Sequence, residues 1–296
     1  MTGPASATPE SDVTVVAVVT AYDPDERLTQ LVDAVRPQVA AVVVVDDGST
    51  TGLAVLDALA ARPGVQLVRQ ANAGVAAALN AGVAAALTRA AHAVLTLDQD
   101  TGLPPDYVAN ARAAWRGAAA HGLPVGFVSA ASYRGRPTPT RGHRGGFAIG
   151  FDPLQSGCLV PAETFRAVGD YDASLVIDAV DSEFTVRCLA AGLLPVVGAD
   201  CHLDHGMGDR TPVRLLGREL GYNRHAPQRV YYMARNGTLL ARRYARDEPG
   251  WVARRLVEEA KAHTLRLAFS PDRRVLARAA LSGLLDGLRG RSGPRH

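Results

Sequence analysis

The sequence predicts an α/β fold in which a mostly parallel sheet is flanked by helices. Apolar, β-branched runs alternate four times with segments of helical apolar spacing in about the first hundred residues, a pattern typical of a sheet covered on both faces. Three of these runs end in polar residues, at Thr20–Tyr22, Asp46–Ser49 and Asp98–Asp100. Because the carboxyl ends of parallel strands share one edge, the sequence predicts a ligand crevice there.

Each element of the first half follows from a local pattern. The continuous β-branched runs predict buried strands. The helix after the first strand begins at an Asp-Pro pair and has apolar residues at helical spacing, and Pro63 and Gly64 end the next helix. In chain order the segments are strand VTVVAVVTAY, helix DPDERLTQLVDAVRPQV, strand AAVVVVDDGST, helix TGLAVLDALAARPG, strand VQLVRQ, helix NAGVAAALNAGVAAALTRAA and strand HAVLTLDQD.

The second half is less regular. RGHRGGFAIGF predicts a loop or short strands, SGCLVPAETFRAVG a strand and a helix, VDSEFTVRCLAAG a helix, and LLPVVGA a strand. A long amphipathic helix, HAPQRVYYMARNGTLLARRYAR, precedes helical segments at 252–267 and 273–288. We therefore expect a disordered lead-in at 1–12, one catalytic domain at 13–245 and a basic helical C-terminal extension at 246–296.

Charge is unevenly distributed along the chain. The 296 residues have a net charge of only +3, which gives no reason to expect a nucleic-acid partner. Residues 241–296, however, carry thirteen Lys and Arg against six Asp and Glu. This tail predicts either an ordinary solvated helical face or attraction to anionic lipid headgroups or an acidic partner, and it equally suits an oligomer contact.

The cysteine pattern and the lack of a recognisable targeting signal predict the cellular compartment. Cys158, Cys188 and Cys201 are odd in number and lack CxxC spacing, which favours neither a disulfide framework nor a zinc knuckle. No apolar run approaches the ~20 residues of a membrane helix, and the N-terminus does not read as a signal peptide. We expect a cytoplasmic protein that touches the inner face of the plasma membrane through its basic tail.

The stretch LDQD carries the strongest chemical signal. Two carboxylates one residue apart repel each other, so the pair favours a divalent cation, Mg²⁺ or Mn²⁺, that also binds phosphate oxygens. The alternative is a capping Asp in a surface turn. The chain has no GxxxxGK[ST] and no GxGxxG after its first strand, which argues against a P-loop and against a dinucleotide-binding Rossmann site.

Four motifs, in this order, resemble the opening of glycosyltransferase family 2, which has the GT-A fold. They are VAVVTAYDPDERL, VVVVDDGST, NAGVAAALNAGVAAAL and VLTLDQD. The form LTLDQD is most similar to the rhamnosyltransferase branch, and SGCLVP, VIDAVDSEFTVR, HGMGD and RVYYMARN also fit, so the resemblance covers about Val13 to Tyr244. It implies a metal-dependent inverting transferase that moves L-rhamnose from dTDP-L-rhamnose to a cell-envelope glycan or lipid-linked acceptor.

The resemblance also implies a nucleotide site. Thr20 and Tyr22 would contact the base or ribose, Asp46 or Asp47 would accept a hydrogen bond from the pyrimidine N3–H, and Asp98 would contact the ribose. For the Asp47-Gly48 pair the alternative is a plain turn. The implied site also includes three residues at the following helix start, Asn72, Gly74 and Asn80, for which simple helix capping is the alternative.

For the metal, the resemblance implies Asp98 and Asp100, with His205 of HGMGD completing the site and His202 as its rival. For the diphosphate and sugar it implies four residues. These are Gln99, Ser156, Gly157 and Arg235. Arg229 is a second candidate for the diphosphate, and a solvated helical face is the alternative for both arginines.

The implied catalytic base is Asp181, which aligns with the catalytic carboxylate of the family. Val180 stands where the family usually has Glu, which rhamnosyltransferase-like members tolerate. Asp178 and then Glu183 are alternative bases, and Asp181 could instead only favour the helix start.

Other functions fit the sequence less well. Within the family, UDP-galactofuranose or another nucleotide sugar is the alternative donor. A nucleotidyltransferase that makes nucleotide sugars would begin with a Gly-rich loop carrying Arg and a later Lys, which TAYDPDERL lacks. A non-catalytic binding module would have no need of intact Asp98, Asp100 and Asp181.

Overall fold

The computed structural model describes residues 13–206, 210–215 and 218–295. The predicted lead-in at 1–12 lies outside these residues. The strands are β1 (Val15–Ala21), β2 (Ala41–Asp47), β3 (Val65–Gln70), β4 (Ala93–Asp98), β5 (Val125–Tyr133), β6 (Arg136–Pro137), β7 (Thr140–Arg144), β8 (Phe147–Gly150), β9 (Cys158–Pro161), β10 (Leu194–Leu203), β11 (Arg210–Leu215) and β12 (Arg218–Asn223).

Helices connect these strands and end the chain. They are α1 (Glu26–Val35), α2 (Leu53–Ala60), α3 (Val75–Leu87), α4 (Tyr107–Ala120), α5 (Ala162–Val168), α6 (Val180–Ala190), α7 (Pro227–Tyr244), α8 (Pro249–Phe269) and α9 (Arg273–Leu288). Short 3₁₀ turns lie at Arg36–Gln38 and Ala173–Leu175.

The main sheet has strand order β3-β2-β1-β4-β9-β5-β10-β8-β7, with β6 paired to β5. β3, β2, β1 and β4 are parallel neighbours, β9 runs antiparallel between β4 and β5, and β10 pairs parallel with β5. The strand order reverses direction at β1, between β2 and β4. That is the switch point where open α/β sheets bind ligands. The predicted α/β sheet flanked by helices is confirmed.

The core lies around the parallel strands. β1 is buried at every position, and β2 is buried from Val42 to Asp47. α1 contributes the four apolar residues that its spacing predicts, Leu28, Leu31, Val32 and Val35. Because both faces of these strands are covered, only their ends are available for a site.

The three C-terminal helices pack on one another and on the sheet domain. α9 approaches α7 closely at Gly283, where a Cβ atom would lie 2.2 Å from the carbonyl oxygen of Tyr231. In α8, Trp251 is buried and donates its indole N–H to the carbonyl of Phe151 at 2.7 Å. No helix in the described part of the chain is both long and apolar enough to cross a membrane.

Candidate active site

A cavity of about 570 Å³ opens at the carboxyl ends of β1, β2 and β4, and we call it the strand-end cavity. Its walls come from the strand ends, from the start of α3 and from the facing α7. Of the residues predicted to bind the nucleotide or diphosphate, those that line it are Thr20, Tyr22, Asp47, Asn72, Gly74, Asp98 and Gln99. The ends of β1, β2 and β4 therefore meet at one place, as the topology predicts, and Asn72 and Gly74 join them from the segment between β3 and α3.

The two neighbouring acids of β2 have different roles because successive strand residues face opposite sides. Asp47 lies in the cavity wall and accepts hydrogen bonds from Gln70 Nε2 at 2.7 Å and from the N–H groups of Ala73 and Gly74 at 2.9 Å. Asp46 is not among the lining residues; it accepts from the N–H of Ser49 at 2.9 Å and thereby closes the turn. Of these two acids, only Asp47 lines the strand-end cavity.

Asn80 is placed away from the cavity, which corrects its predicted assignment to the nucleotide site. Its amide donates to the carbonyl of Tyr171 at 2.9 Å and accepts from the N–H of the same residue at 2.9 Å. Both ends of the amide are thus used to hold a distant loop against α3. Capping, the alternative considered for this residue, is not observed either.

Gln99 fixes the rim of the strand-end cavity. Its side-chain amide accepts from the N–H of Tyr22 at 2.8 Å and donates to the carbonyl of the same residue at 3.0 Å. The Tyr22 ring is left about half exposed, at 49%. An exposed ring on a fixed backbone is suited to stacking against a planar base.

His205, rather than His202, lies beside the acid pair of β4. Its Nε2 is 3.5 Å from Asp98 Oδ2 and its Nδ1 is 3.6 Å from Asp100 Oδ1. A two-way backbone bridge between Gly102 and Asp204 brings this segment to the end of β4. His202 is exposed and bonds Ser132 instead. Residues 207–209 of the HGMGD motif lie outside the described residues.

Burial is the main cause that raises the pKa of Asp98 to about 6; the attraction of His205 opposes it, and repulsion from Asp100 and then Asp181 adds to it. Two acids held this close gain from a bound cation. Among the described residues, no three His, Cys, Asp or Glu side chains are arranged to hold a metal ion by themselves. The donor set therefore fits an ion such as Mg²⁺ or Mn²⁺, which takes one or two carboxylates and completes its sphere with substrate phosphate oxygens and water.

Ser156 and Gly157 lie behind the acid pair. Neither residue lines the strand-end cavity or the larger cavity that adjoins it. The Ser156 hydroxyl accepts from the N–H of Asp98 at 3.1 Å and bonds Thr101 Oγ1 at 2.7 Å, which in turn lies 3.1 Å from His205 Nδ1. Gly157 has φ of +87°, and a Cβ there would lie 2.5 Å from the Tyr107 hydroxyl. The predicted sugar-pocket pair instead orients the residues that line the site.

A second cavity, of about 730 Å³, adjoins the first, and we call it the acidic cavity. Asp152, Asp178 and Asp181 line it together with Arg255 of α8. The residues that line both cavities are Val75, Asp98, Ile177 and Arg229. The two cavities therefore meet at Asp98, one of the two carboxylates beside which a cation would bind.

Asp181 stands in the first turn of α6, and its Oδ1 accepts the N–H of Ser182 at 2.8 Å. Burial raises the pKa of Asp181, and the positive charge of Arg255 acts in the opposite direction. The alternative bases are already engaged. Asp178 pairs with Arg229 at 3.0 Å, and Glu183, which lines neither cavity, pairs with Arg187 at 2.8 Å.

Arg235 is not in position to bind a diphosphate, which corrects its predicted role. Its guanidinium is buried, lies 4.7 Å from the centre of the Tyr232 ring and donates to the carbonyls of Leu175 and Gly293. Arg229, 49% exposed and lining both cavities, is the arginine of α7 that faces the site. On sequence alone, Arg229 is only the second candidate for the diphosphate.

Two further site residues were missed because they come from distant segments. Arg255 of α8 pairs with Asp152 at 2.8 Å, and both line the acidic cavity. Burial is the main cause that raises the pKa of Asp152 to about 6, against the pull of Arg255. The only local signal was the spacing of Arg255 and Glu259, an ion pair at i and i+4.

Comparisons with known proteins agree with this architecture. A family model described as glycosyl transferase family 2 matches residues 16–162. The dTDP-rhamnosyl transferase RfbF of Shigella flexneri is 30% identical over 295 residues, covering 94% of this chain and 97% of the relative.

Solved structures of S. aureus TarS share the fold. TarS 1–349 matches with a TM-score of 0.59 at 15% identity, over 94% of this chain and 82% of that one. TarS 1–349 in complex with UDP-GlcNAc matches with a TM-score of 0.53 at 14% identity, over 94% and 92% of the two chains. The GT-A fold implied by the sequence motifs is thereby confirmed.

Proposed function

Since the chain belongs to glycosyltransferase family 2 and is similar to a dTDP-rhamnosyl transferase along almost its whole length, we propose that it transfers L-rhamnose from dTDP-L-rhamnose to a hydroxyl group, with inversion at the anomeric carbon. The acceptor we propose is a cell-envelope glycan or a lipid-linked sugar. The observation that carries the proposal is the meeting of the strand-end cavity and the acidic cavity at Asp98 and Arg229.

In this proposal the donor nucleotide occupies the strand-end cavity. Asp47 accepts a hydrogen bond from the pyrimidine N3–H, because a carboxylate has about four acceptor sites and three are used here. Tyr22 stacks on the base. The diphosphate then points toward Asp98 and Asp100, where a divalent cation would offset its charge. His205 lies beside this pair and would contribute a ligand only after a small rearrangement.

The acceptor occupies the acidic cavity in front of Asp181. The carboxylate removes the proton of the acceptor hydroxyl while that oxygen attacks the anomeric carbon from the face opposite the diphosphate. The bond between the anomeric carbon and the diphosphate oxygen breaks, and the electron pair leaves with dTDP. Arg229, between the two cavities, stabilises the charge that develops on this leaving group.

The test is donor turnover with purified protein, Mn²⁺ and dTDP-rhamnose. We expect slow release of dTDP by hydrolysis, its loss on chelation with EDTA, and its recovery when Mn²⁺ is added back. Asp181→Asn should reduce release by about 10²–10⁴-fold without lowering the melting temperature. Equal turnover in this variant would remove Asp181 from its role, and faster turnover of UDP-galactofuranose would replace the proposed donor.

We also propose that α9 rests on an anionic membrane surface. Leu281, Leu284, Leu285 and Leu288 are exposed by 40–57% and recur at helical spacing on one side of α9. Arginines flank this apolar stripe at both ends of the helix. Such a face suits the headgroup boundary of a bilayer. A dimer formed through the same stripe would instead bring the arginines of two chains together, and their positive charges would repel each other.

Liposomes of anionic and neutral lipid test this contact. We expect the protein to float with anionic vesicles and to release partly in high salt. Leu284→Gln combined with Leu288→Gln should abolish flotation while donor turnover is retained. Equal flotation of this variant, or a stable dimer that the substitutions dissociate, would overturn the membrane assignment.

A further inference from the structure

We infer that Asn236 is a positioning residue for Asp181, because its buried side-chain amide holds the wall segment, residues 176–179, in a strained backbone shape. This inference rests on the proposed function in one respect only, the use of Asp181 as the base. The wall segment ends two residues before Asp181 in the chain and supplies lining residues to both cavities.

The wall segment has an unusual backbone. Val176, Asp178 and Ala179 have φ angles of +67°, +63° and +61°. Residues with a Cβ atom rarely adopt this left-handed region, and a β-branched valine there is an outlier. Three such residues within four positions persist only when surrounding contacts determine the conformation.

Asn236 of α7 supplies those contacts. Its amide nitrogen donates to the carbonyls of Leu175, Ile177 and Asp178 at 3.0, 2.9 and 2.9 Å. The side chain is fully buried, so water cannot replace these bonds. Because the amide nitrogen carries only two hydrogens, at least one of them is shared between two of these carbonyls, which lie in and beside the wall segment.

Arg235 fixes which end of the amide faces the segment. Its Nε donates to Asn236 Oδ1 at 2.9 Å, so the amide nitrogen must point to the three carbonyls. The same guanidinium donates to the carbonyl of Leu175 at 3.2 Å. The buried pair acts as one clamp, which explains why Arg235 is turned away from the strand-end cavity.

The wall segment connects the clamp to both halves of the site. Ile177 lines both cavities, and Asp178 holds Arg229. On its other side the segment touches the start of α3, where a Cβ on Gly74 would lie 2.5 Å from the carbonyl oxygen of Val176. Releasing the clamp should therefore displace Asp181 and the arginine between the cavities together.

Asn236→Ala tests this inference. We expect dTDP release to fall by about 10- to 100-fold, the effect of a displacement near 1 Å in an active site, with a smaller change in KM for dTDP-rhamnose. Ala179→Gly added to this variant should restore part of the turnover, since glycine adopts positive φ without steric cost.

The pH profile gives a second readout. The charged groups that face Asp181 are Arg255, Asp152, Asp178 and Asp98. A displaced wall segment changes the distances between these groups and Asp181. The acidic limb of turnover against pH should therefore move in Asn236→Ala. Asn110→Ala is the matched control, because that helical amide donates to the carbonyl of Asp200 and neither residue lines the strand-end cavity or the acidic cavity. The acidic limb of this variant should stay at the wild-type pH.

Hydrogen exchange separates this inference from the proposed reaction. The amides of 176–182 should exchange faster in Asn236→Ala even if the wild-type protein uses another donor. If the alanine variant does not fold, Asn236→Ser, which keeps one donor, takes its place. A folded variant with wild-type turnover, or with unchanged exchange at 176–182, would show that Asn236 does not position the base.

Discussion

Arg255 Nη1 lies 2.8 Å from Asp152 Oδ2, although the two residues are about a hundred positions apart in the chain. The arginine comes from the predicted C-terminal extension, and the aspartate follows β8. Arg255 also bonds Glu259 at 3.0 Å, and its charge lowers the pKa of Asp181 against the larger effect of burial. The extension thus contributes a charge to the proposed acceptor site.

Arg255→Gln should change the pH dependence of turnover. A base works only when deprotonated, so activity falls as pH drops through its pKa. Removing the cation takes away the largest effect that opposes burial, and the pKa of Asp181 therefore rises. We expect the acidic limb of kcat against pH to move to higher pH. A limb at unchanged pH would mean that another group is the base.

Arg229→Gln and Arg235→Lys should have contrasting effects. The first removes the arginine that lines both cavities, and turnover should fall by about 10²-fold with little change in melting temperature. The second disturbs a buried guanidinium that donates to the carbonyls of Leu175, beside the wall segment, and of Gly293 near the C-terminus, so the free energy of unfolding should fall. Turnover and thermal denaturation of both variants check this pair. Normal turnover in Arg229→Gln would contradict the assignment.

Asn80→Ala should destabilise the protein without weakening nucleotide binding. The substitution removes both hydrogen bonds to the Tyr171 backbone, and we expect a loss of about 1–3 kcal/mol. The Kd for dTDP, measured by calorimetry, should stay within about twofold, because the amide does not line the strand-end cavity. Asn72→Ala, at the cavity wall, is the comparison that should weaken binding.

Gly283→Leu should separate α9 from α7. A Cβ at this position would lie 2.2 Å from the carbonyl oxygen of Tyr231, so the helices must move apart. Overpacking of this kind costs about 1–3 kcal/mol, which corresponds to a fall of several degrees in melting temperature for a chain of this size. Gly250→Leu, where nothing lies within 4 Å of the added atom, is the matched control.

Much of the fold was predictable from periodicity alone. Helix α9 begins and ends at the predicted residues, Arg273 and Leu288, and the four N-terminal strands lie where the β-branched runs indicated. Neither α4 nor the neighbouring β5 was predicted from the sequence. β6 is a two-residue strand that only pairing with β5 defines.

Strand ends fix the side chains of the site most directly. Asp98 and Asp100 follow from the topology, but the choice between Asp46 and Asp47 depends on which face each presents. On α7, spacing could not show that Arg235 turns inward while Arg229 faces the cavities. Arg255 was out of reach, because nothing local links α8 to Asp152.

The close approach of α9 to α7 at Gly283 has a consequence for engineering. α7 carries Asn236 and Arg229 on one side and receives the C-terminal helix on the other. A chimera with a relative should therefore exchange α7 and α9 together. If only one of them were exchanged, the two helices would no longer match at Gly283, and α7 could shift where it lines the two cavities.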